Sequence, residues 1–452
     1  MTAGRERRVT LCAKTTAVSA IPVRPGKTHP LSALDHAMAR HFLRLVFYFR
    51  AAPTLTKSRL MNSLSEVLSY YPAVTGRLHR EPVEDAAGGG SEWRWVVKCN
   101  DAGLRLVEAR AHTTLDEWLA SATDGEEMDL AHSEPMGHDT SIWSPYCVQL
   151  TEFDDGAVAI GLSSAHINAD LTSAILIVRA WSDAHRRACI VFPPFLHAPA
   201  LDPRPNPNPN SALFSSKSAA AAASTEPAAT TKMSSATFVF SDASVKSLLS
   251  DAGDASPFDA LAALFWTRIA APELGAADLT LGIDMRKRMH APLPYAFYGN
   301  AFHFYRVRGV DLGAGLSRVA AEIRRVGEGV REEDFWEAVE WLHERRPGRR
   351  EAEPAFQVYG PELTCVEVDR DAFAYGTPFE DNDGCRPAHV TCRVDGTEGA
   401  GLVLVMPAAA EGAARQVVVT LPDDVVAKVC RDAAIAKYEP TVLFAPAGVK
   451  KG

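Results

Sequence analysis

His166 and Asp170 stand four residues apart in His166-Ile167-Asn168-Ala169-Asp170, directly after the apolar run 157–165. An imidazole with an ordinary pKa of about 6.5 can take a proton from a hydroxyl or an amine near neutral pH. A carboxylate four residues on, where a helix begins, can accept backbone N–H bonds and fix the intervening loop. Ser163, Ser164, Ala165 and Ala169 are small enough to let a substrate approach the ring. The chemistry implied is general-base activation of a nucleophile. A strand–helix junction with an incidental capping aspartate has the same pattern, and the bare spacing does not separate the two.

The elements that must place this pair are legible on either side of it. Residues 157–163 form an uninterrupted apolar stretch, as a buried strand does. Leu171, Ala174, Ile175, Val178 and Trp181 then mark one helix face. Upstream, Leu60, Leu64, Val67 and Leu68 give residues 57–70 helical spacing, and 92–98 and 146–150 read as strands. Residues 200–234 carry a Pro/Asn run and then a Ser/Ala run, and read as a crossover linker poor in core residues. Beyond it the spacing predicts a strand at 236–240 and a helix at 242–251 capped by Ser241 or Asp242. A second helix at 257–270, a strand at 279–284 and a mostly helical stretch at 312–343 follow. Residues 364–368, 388–394, 401–406 and 416–421 read as strands, expected to be antiparallel, before a closing helix at 422–433. The expected class is α/β with mixed sheets and flanking helices. The division is residues 1–200, a crossover at 201–234, and residues 235–452.

Composition excludes several functions. The 452 residues are 47% apolar and 23% charged, with a net charge of −9, which speaks against a broad nucleic-acid surface. The eight cysteines are scattered without a CxxC, so neither a zinc site nor a disulfide framework is expected, and reduced thiols of the cytosol fit. Residues 1–9 lack a signal core, and no run approaches the roughly 18 apolar residues of a membrane helix. A monomer, cytoplasmic or peripheral at a membrane, is expected. The basic run 345–350 reads as a solvated loop or as a contact for a phosphate-bearing cofactor or anionic partner. His36, His41, His132, His138 and His303 read singly as ordinary surface or core histidines, and Phe47, Tyr48 and Phe49 as a packed strand. No glycine-rich phosphate loop and no metal motif occur, so any coenzyme A is expected in an interdomain channel.

Several segments, in order, carry a more specific signal. They are Leu31-Ser32-Ala33-Leu34-Asp35, then Val46 to Arg50, then Tyr70-Tyr71-Pro72 leading to Gly76-Arg77-Leu78. Asp284-Met285-Arg286 and Phe297-Tyr298-Gly299-Asn300-Ala301 follow. Together they resemble the N-terminal LSxLD and first strand, the YYPLAGRL helix end, and the DxR and FGNA segments of the plant BAHD acyltransferases. That resemblance implies two chloramphenicol-acetyltransferase-like domains and an acyl-CoA co-substrate rather than a permanently bound cofactor. It also implies His166 as the base, Asp170 as a structural carboxylate and Arg286 as the partner of Asp170.

The resemblance breaks at the family's second signature, DFGWG followed by a basic residue and proline. Here the stretch is Asp381-Asn382-Asp383-Gly384-Cys385-Arg386-Pro387. Asp381, Arg386 and Pro387 keep the pattern, whereas Asp383 stands at a glycine position and the aromatic residues are gone. Asp381, Asp383 and Arg386 are thus the candidate residues of an altered loop near a cofactor, expected to lack its aromatic anchor. Residues 96–105, with Cys99-Asn100-Asp101, and Thr114 to Leu119 further resemble the eceriferum and glossy branch of cuticular wax proteins. That branch implies support of very-long-chain fatty-acid elongation alongside a condensing enzyme at the endoplasmic reticulum. The other readings are an active acyl-CoA transferase to a hydroxyl or amine, and a binding or scaffold protein with a vestigial site.

Overall fold

The computed structural model describes residues 7–24, 26–82, 93–196, 203–204, 206–223, 231–270, 277–289, 293–345, 357–368, 377–381, 385–410 and 412–449. In the first half these build β1 (Val9–Ala17), β2 (Thr28–Pro30), α1 (Ala33–Ala37), β3 (Phe42–Phe49), α2 (Lys57–Leu68), β4 (Arg77–Pro82), β5 (Trp93–Lys98) and β6 (Leu104–Ala111). Then come α3 (Leu115–Ser121), α4 (Asp124–Glu127), β7 (Tyr146–Phe153), β8 (Val158–Ala165) and α5 (Leu171–His185). The crossover carries α6 (Ala212–Ala223) and leads to β9 (Met233–Phe240), α7 (Asp242–Ala252), α8 (Pro257–Ile269), β10 (Ala277–Asp284) and β11 (Phe302–Val310). The chain continues through α9 (Leu316–Glu328), α10 (Glu332–Glu344), β12 (Leu363–Glu367), β13 (His389–Asp395), β14 (Leu402–Pro407) and β15 (Arg415–Pro422). It ends in α11 (Asp423–Val429), α12 (Ala433–Ala436) and β16 (Thr441–Leu443).

One sheet has the order β1-β6-β7-β8-β3-β13, a second β11-β10-β12-β14-β15-β9-β16, and β2, β5 and β4 form a small third. The α/β class with mixed sheets and flanking helices is what the sequence predicts. Every residue of β8 is buried, as a strand covered on both faces must be. Helix α5, capped by Asp170, buries almost its whole surface, so its apolar residues are not confined to the one face that periodicity marks.

The late strands do not form one antiparallel set. β12 runs parallel to both β10 and β14, and only β14 and β15 pair antiparallel. β13 leaves that sheet altogether and pairs antiparallel with β3 of the first, Asp395 opposite Phe42 and His389 opposite Tyr48. Local alternation reports that a strand exists but not which neighbour it finds, because partner choice is set by long-range packing.

The crossover also differs from a free linker. Arg204 pairs with Glu340 and with Glu333, each at 2.6 Å, and the Asn208 amide N–H reaches Glu340 at 2.8 Å. On α6, Phe214 packs on Trp341 at 6.0 Å between ring centroids, and the Lys217 side chain is wholly buried. Polar composition concealed this docking, because its anchors are ion pairs and single side chains rather than a periodic apolar face. Of the basic run, Arg345 lies over the Trp341 ring at 4.3 Å, and residues 346–350 lie outside the described residues.

Where β13 meets β3, Glu127 is buried and accepts hydrogen bonds from Tyr48 Oη and Thr391 Oγ1. Burial pushes its carboxyl from 4.5 up to about 7, against the hydrogen bond from Thr391 and the charge of Arg393. In the unfolded chain it ionises near the ordinary glutamate value. The stability this neutral carboxyl contributes is therefore complete below about pH 4.5 and is lost as pH rises through 7. The loss is on the order of 3 kcal/mol. Glu127→Gln should lose less stability than wild type between pH 5 and 8, compared by urea denaturation. Equal losses in the two proteins would refute the assignment.

Candidate active site

β8 delivers the histidine. Its last residue, Ala165, pairs with Phe42 of β3, and the His166 N–H then donates to the His41 carbonyl at 2.9 Å. Asp170 has extended backbone and accepts from the Ser173 N–H at 2.9 Å, so the aspartate that ends the motif caps α5. A strand end and a helix start, both buried, hold the loop between them.

The Asp170 carboxylate is gripped from the second half of the chain. Arg286 Nη1 meets Asp170 Oδ2 at 2.9 Å and Nη2 meets Oδ1 at 3.0 Å, a bidentate pair with both side chains buried. Nη1 also donates to both oxygens of Asp284, at 3.1 and 3.0 Å. Nη2 donates further to Ser173 Oγ and the Gly299 carbonyl, each at 3.0 Å. The guanidinium thus ties the start of α5 to the end of β10 and to the 297–300 turn. Burial opposes its charge, and the two carboxylates outweigh burial and push its pKa up. Gly299 has φ +140, where a side chain is strained, and an added Cβ would lie 3.1 Å from the Phe297 ring. That backbone turns the Gly299 carbonyl toward Arg286.

A second bracket holds the histidine backbone. Asn300 Nδ2 donates to the His166 carbonyl at 2.8 Å and to Asp35 Oδ1 at 2.7 Å. Asp35 in turn accepts from the Ser32 N–H and hydroxyl, both at 2.7 Å, in the capping box of α1. Sequence reading missed Asp35 and Asn300 as site residues. Both lie in segments it singled out, but nothing local says that residues so distant in the chain share a hydrogen bond.

The imidazole itself is 1% exposed. Burial lowers its pKa, offset in part by a backbone hydrogen bond and the charge of Asp170, so it is neutral and able to take a proton at physiological pH. Its Nε2 lies 3.1 Å from the Tyr359 hydroxyl. The His41 ring lies 6.3 Å from it, its pKa driven down to about 3 by burial and then by His166. His41 is a core histidine, as its sequence context suggests, and one wall of the site. The Asn168 amide is buried and unpartnered. Tyr359 carries no sequence signal. It reaches His166 only through the fold.

The altered loop is placed elsewhere. The Ala388 N–H donates to the Tyr48 carbonyl at 2.7 Å, and Cys385 Sγ faces the Arg50 carbonyl at 3.9 Å. Both contacts lie at the end of β3 opposite Phe42, the partner of Ala165. An eight-residue strand separates the two ends by about 25 Å. Asp381 and Arg386 are exposed there, so the structure does not bring them to His166, and Asp383 lies outside the described residues. An aromatic residue just before the altered stretch packs into the core. Phe379 is buried against Phe49, Trp181 and His185, with ring centroids 5.0, 5.8 and 5.2 Å away. Cys385, in register with the second glycine of the family motif, keeps a left-handed backbone at φ 52, which disfavours a residue with a side chain.

Beside the Arg286 lock lies a cleft of about 650 Å³ with Leu281, Ile283 and Phe258 among its apolar walls. Its five acidic residues, Asp284 among them, outnumber Lys287, Arg288 and Arg324. That balance suits an uncharged chain better than a phosphate. Among the described residues no cluster of His, Cys, Asp and Glu is placed to hold a metal ion, and no helix is long and apolar enough to cross a membrane.

Comparison with known proteins agrees with this geometry. The sequence model of the Transferase family matches residues 7–434. The chain is 26% identical to Protein ECERIFERUM 26-like of Arabidopsis thaliana over 92% of each protein. It is 28% identical to Tryptamine benzoyltransferase 1 of Oryza sativa subsp. japonica, over 91% of this chain and 93% of the relative. The fold matches that of F. graminearum TRI101 complexed with coenzyme A and T-2 mycotoxin, with a TM-score of 0.71 and 14% identity. The match covers 92% of this chain and all of that one (100%).

Arg286→Met would leave Asp170 buried and unpaired and Asp284 without its cation, a loss of about 3–5 kcal/mol. Arg286→Lys should recover only part of it, because an ammonium cannot serve two carboxylates and two carbonyls as a planar fork does. Thermal unfolding of the three proteins checks the order. A lysine variant as stable as wild type would contradict the fork.

Proposed function

The chain belongs to the Transferase family of BAHD acyltransferases. On that premise we propose that it supports very-long-chain fatty-acid elongation for cuticular wax, holding an acyl-CoA or its acyl chain alongside a condensing enzyme. The observation that carries this reading is an intact scaffold around an engaged base. Arg286 grips Asp170 as an acyl-transfer site requires, yet Nε2 of His166 meets Tyr359 at 3.1 Å. A transferase acting on a free alcohol or amine needs that nitrogen for the acceptor's proton. A protein that presents a chain to another enzyme does not. The name of the Arabidopsis relative supports the same reading. It places the protein in the cytoplasm, at the face of the endoplasmic reticulum where elongation occurs.

A second reading is acyl transfer from acyl-CoA to a hydroxyl or amine, with His166 as general base. The neutral, locked imidazole and the benzoyltransferase relative favour it. In that reaction the base takes the acceptor's proton, the acceptor attacks the thioester carbonyl, and the proton leaves with the thiolate of coenzyme A.

Co-expression with a plant condensing enzyme in yeast separates the two. The elongation reading predicts longer acyl chains by gas chromatography than the condensing enzyme makes alone, and the same lengthening with His166→Ala. An unchanged chain-length profile would remove the elongation reading. Lengthening abolished by His166→Ala would move the weight to chemistry at the histidine.

A further inference from the structure

We propose that Tyr359 is a cap on the base: its hydroxyl stands where an acceptor hydroxyl or amine would have to stand, and the crossover helix holds it there. This rests on the reading that the site takes acyl-CoA. The phenol lies 3.1 Å from Nε2 of His166, within the distance at which a nucleophile hands over its proton. Only one hydroxyl can occupy that position, so an acceptor must displace Tyr359.

The cap is held on three sides. The Glu398 N–H donates to the Tyr359 carbonyl at 3.1 Å and the Ala400 N–H to the Pro361 carbonyl at 2.8 Å, both just past the end of β13. From α6, Lys217 Nζ donates to the Gly360 carbonyl. The same ammonium pairs with Glu362 at 3.2 Å, and Glu362 also takes Arg306 at 2.7 Å and the Thr280 hydroxyl at 2.8 Å. A buried lysine on a polar crossover is costly unless it is paired and hydrogen-bonded, and here its hydrogen bond fixes the residue next to Tyr359. The ring of Tyr359 packs edge-on against His41 at 4.9 Å and Phe304 at 5.7 Å.

A tyrosine that only filled the core would need no hydroxyl at this point, and Phe304 fills the neighbouring space without one. The surrounding polar groups are also not those of a finished core. The side-chain amide of Asn168, two residues from His166, is buried with neither its oxygen nor its nitrogen hydrogen-bonded. Such groups are costly when left unpaired. This amide is disposed to receive a polar substrate group once the phenol withdraws.

The test reads the histidine with and without a ligand. Diethyl pyrocarbonate modification of His166, mapped by peptide mass, should be at least roughly ten-fold faster in Tyr359→Ala than in wild type. Should that variant fail to fold by circular dichroism, Lys217→Met gives the same readout, since it removes the bond to Gly360 that holds the phenol over the ring, without changing residue 359. Equal modification rates overturn the cap, whether or not acyl-CoA is a ligand. Thiol release from stearoyl-CoA is the second arm. Tyr359→Phe, with water in place of the phenol, should release coenzyme A at least roughly ten-fold faster than wild type, and Tyr359→Phe with His166→Ala should not. Faster modification without thiol release overturns the acyl-CoA reading and leaves the cap standing. His166-dependent thiol release that is measurable in wild type and as fast as in Tyr359→Phe overturns the cap.

Discussion

The guanidinium of Arg286 is the point on which the two halves of the chain converge. It faces Asp170 at the start of α5 and the carbonyls of the 297–300 turn, all out of solvent, and the partly exposed Asp284 at the end of β10. Desolvating three charges is expensive, and the attraction between them offsets this only when the geometry is good and the remaining donors are used. Here the donors find carboxylates, carbonyls and the Ser173 hydroxyl. The value of such an arrangement is less in net stability than in the single geometry it allows. The loop bearing His166 cannot shift without breaking several of these bonds at once.

A second constraint works through the backbone. Asp35, itself fixed by the capping box of α1, orients Asn300, and Asn300 holds the His166 carbonyl. β13 performs a similar service by leaving its own half to pair with β3, so that residues 396–400 arrive beside His41 and the Tyr359 segment. The site is therefore built from α1, β3, β8, α5, β10, the 297–300 turn and the segment after β13. The histidine is positioned by elements that its own neighbourhood in sequence does not contain.

These constraints explain how an altered DFGWG segment coexists with an ordered site. The altered stretch lies a strand's length from His166, and its neighbour Phe379 anchors it to Phe49 and Trp181. Changes there bear on how the scaffold is braced, whereas the state of the base is set by what meets Nε2. In this protein that is a phenol from residue 359, held in turn by a lysine of the crossover.

The sequence by itself determined the α/β class, the strand before His166, the helix after Asp170 and, through the ordered motifs, the pairing of Asp170 with Arg286. Each of these depends on short-range periodicity, on capping chemistry or on motif residues quoted in order, so a linear reading reaches them. Only the tertiary structure decided the exchange of β13, the docking of Arg204, Asn208 and α6, the remoteness of Asp381 and Arg386 from the base, and the contact of Tyr359 with His166. Those contacts span from tens of residues to several hundred, the Tyr359 bond itself 193. Partners so far apart are chosen by how buried surfaces and polar groups are satisfied together across the whole fold, which no window of local sequence contains.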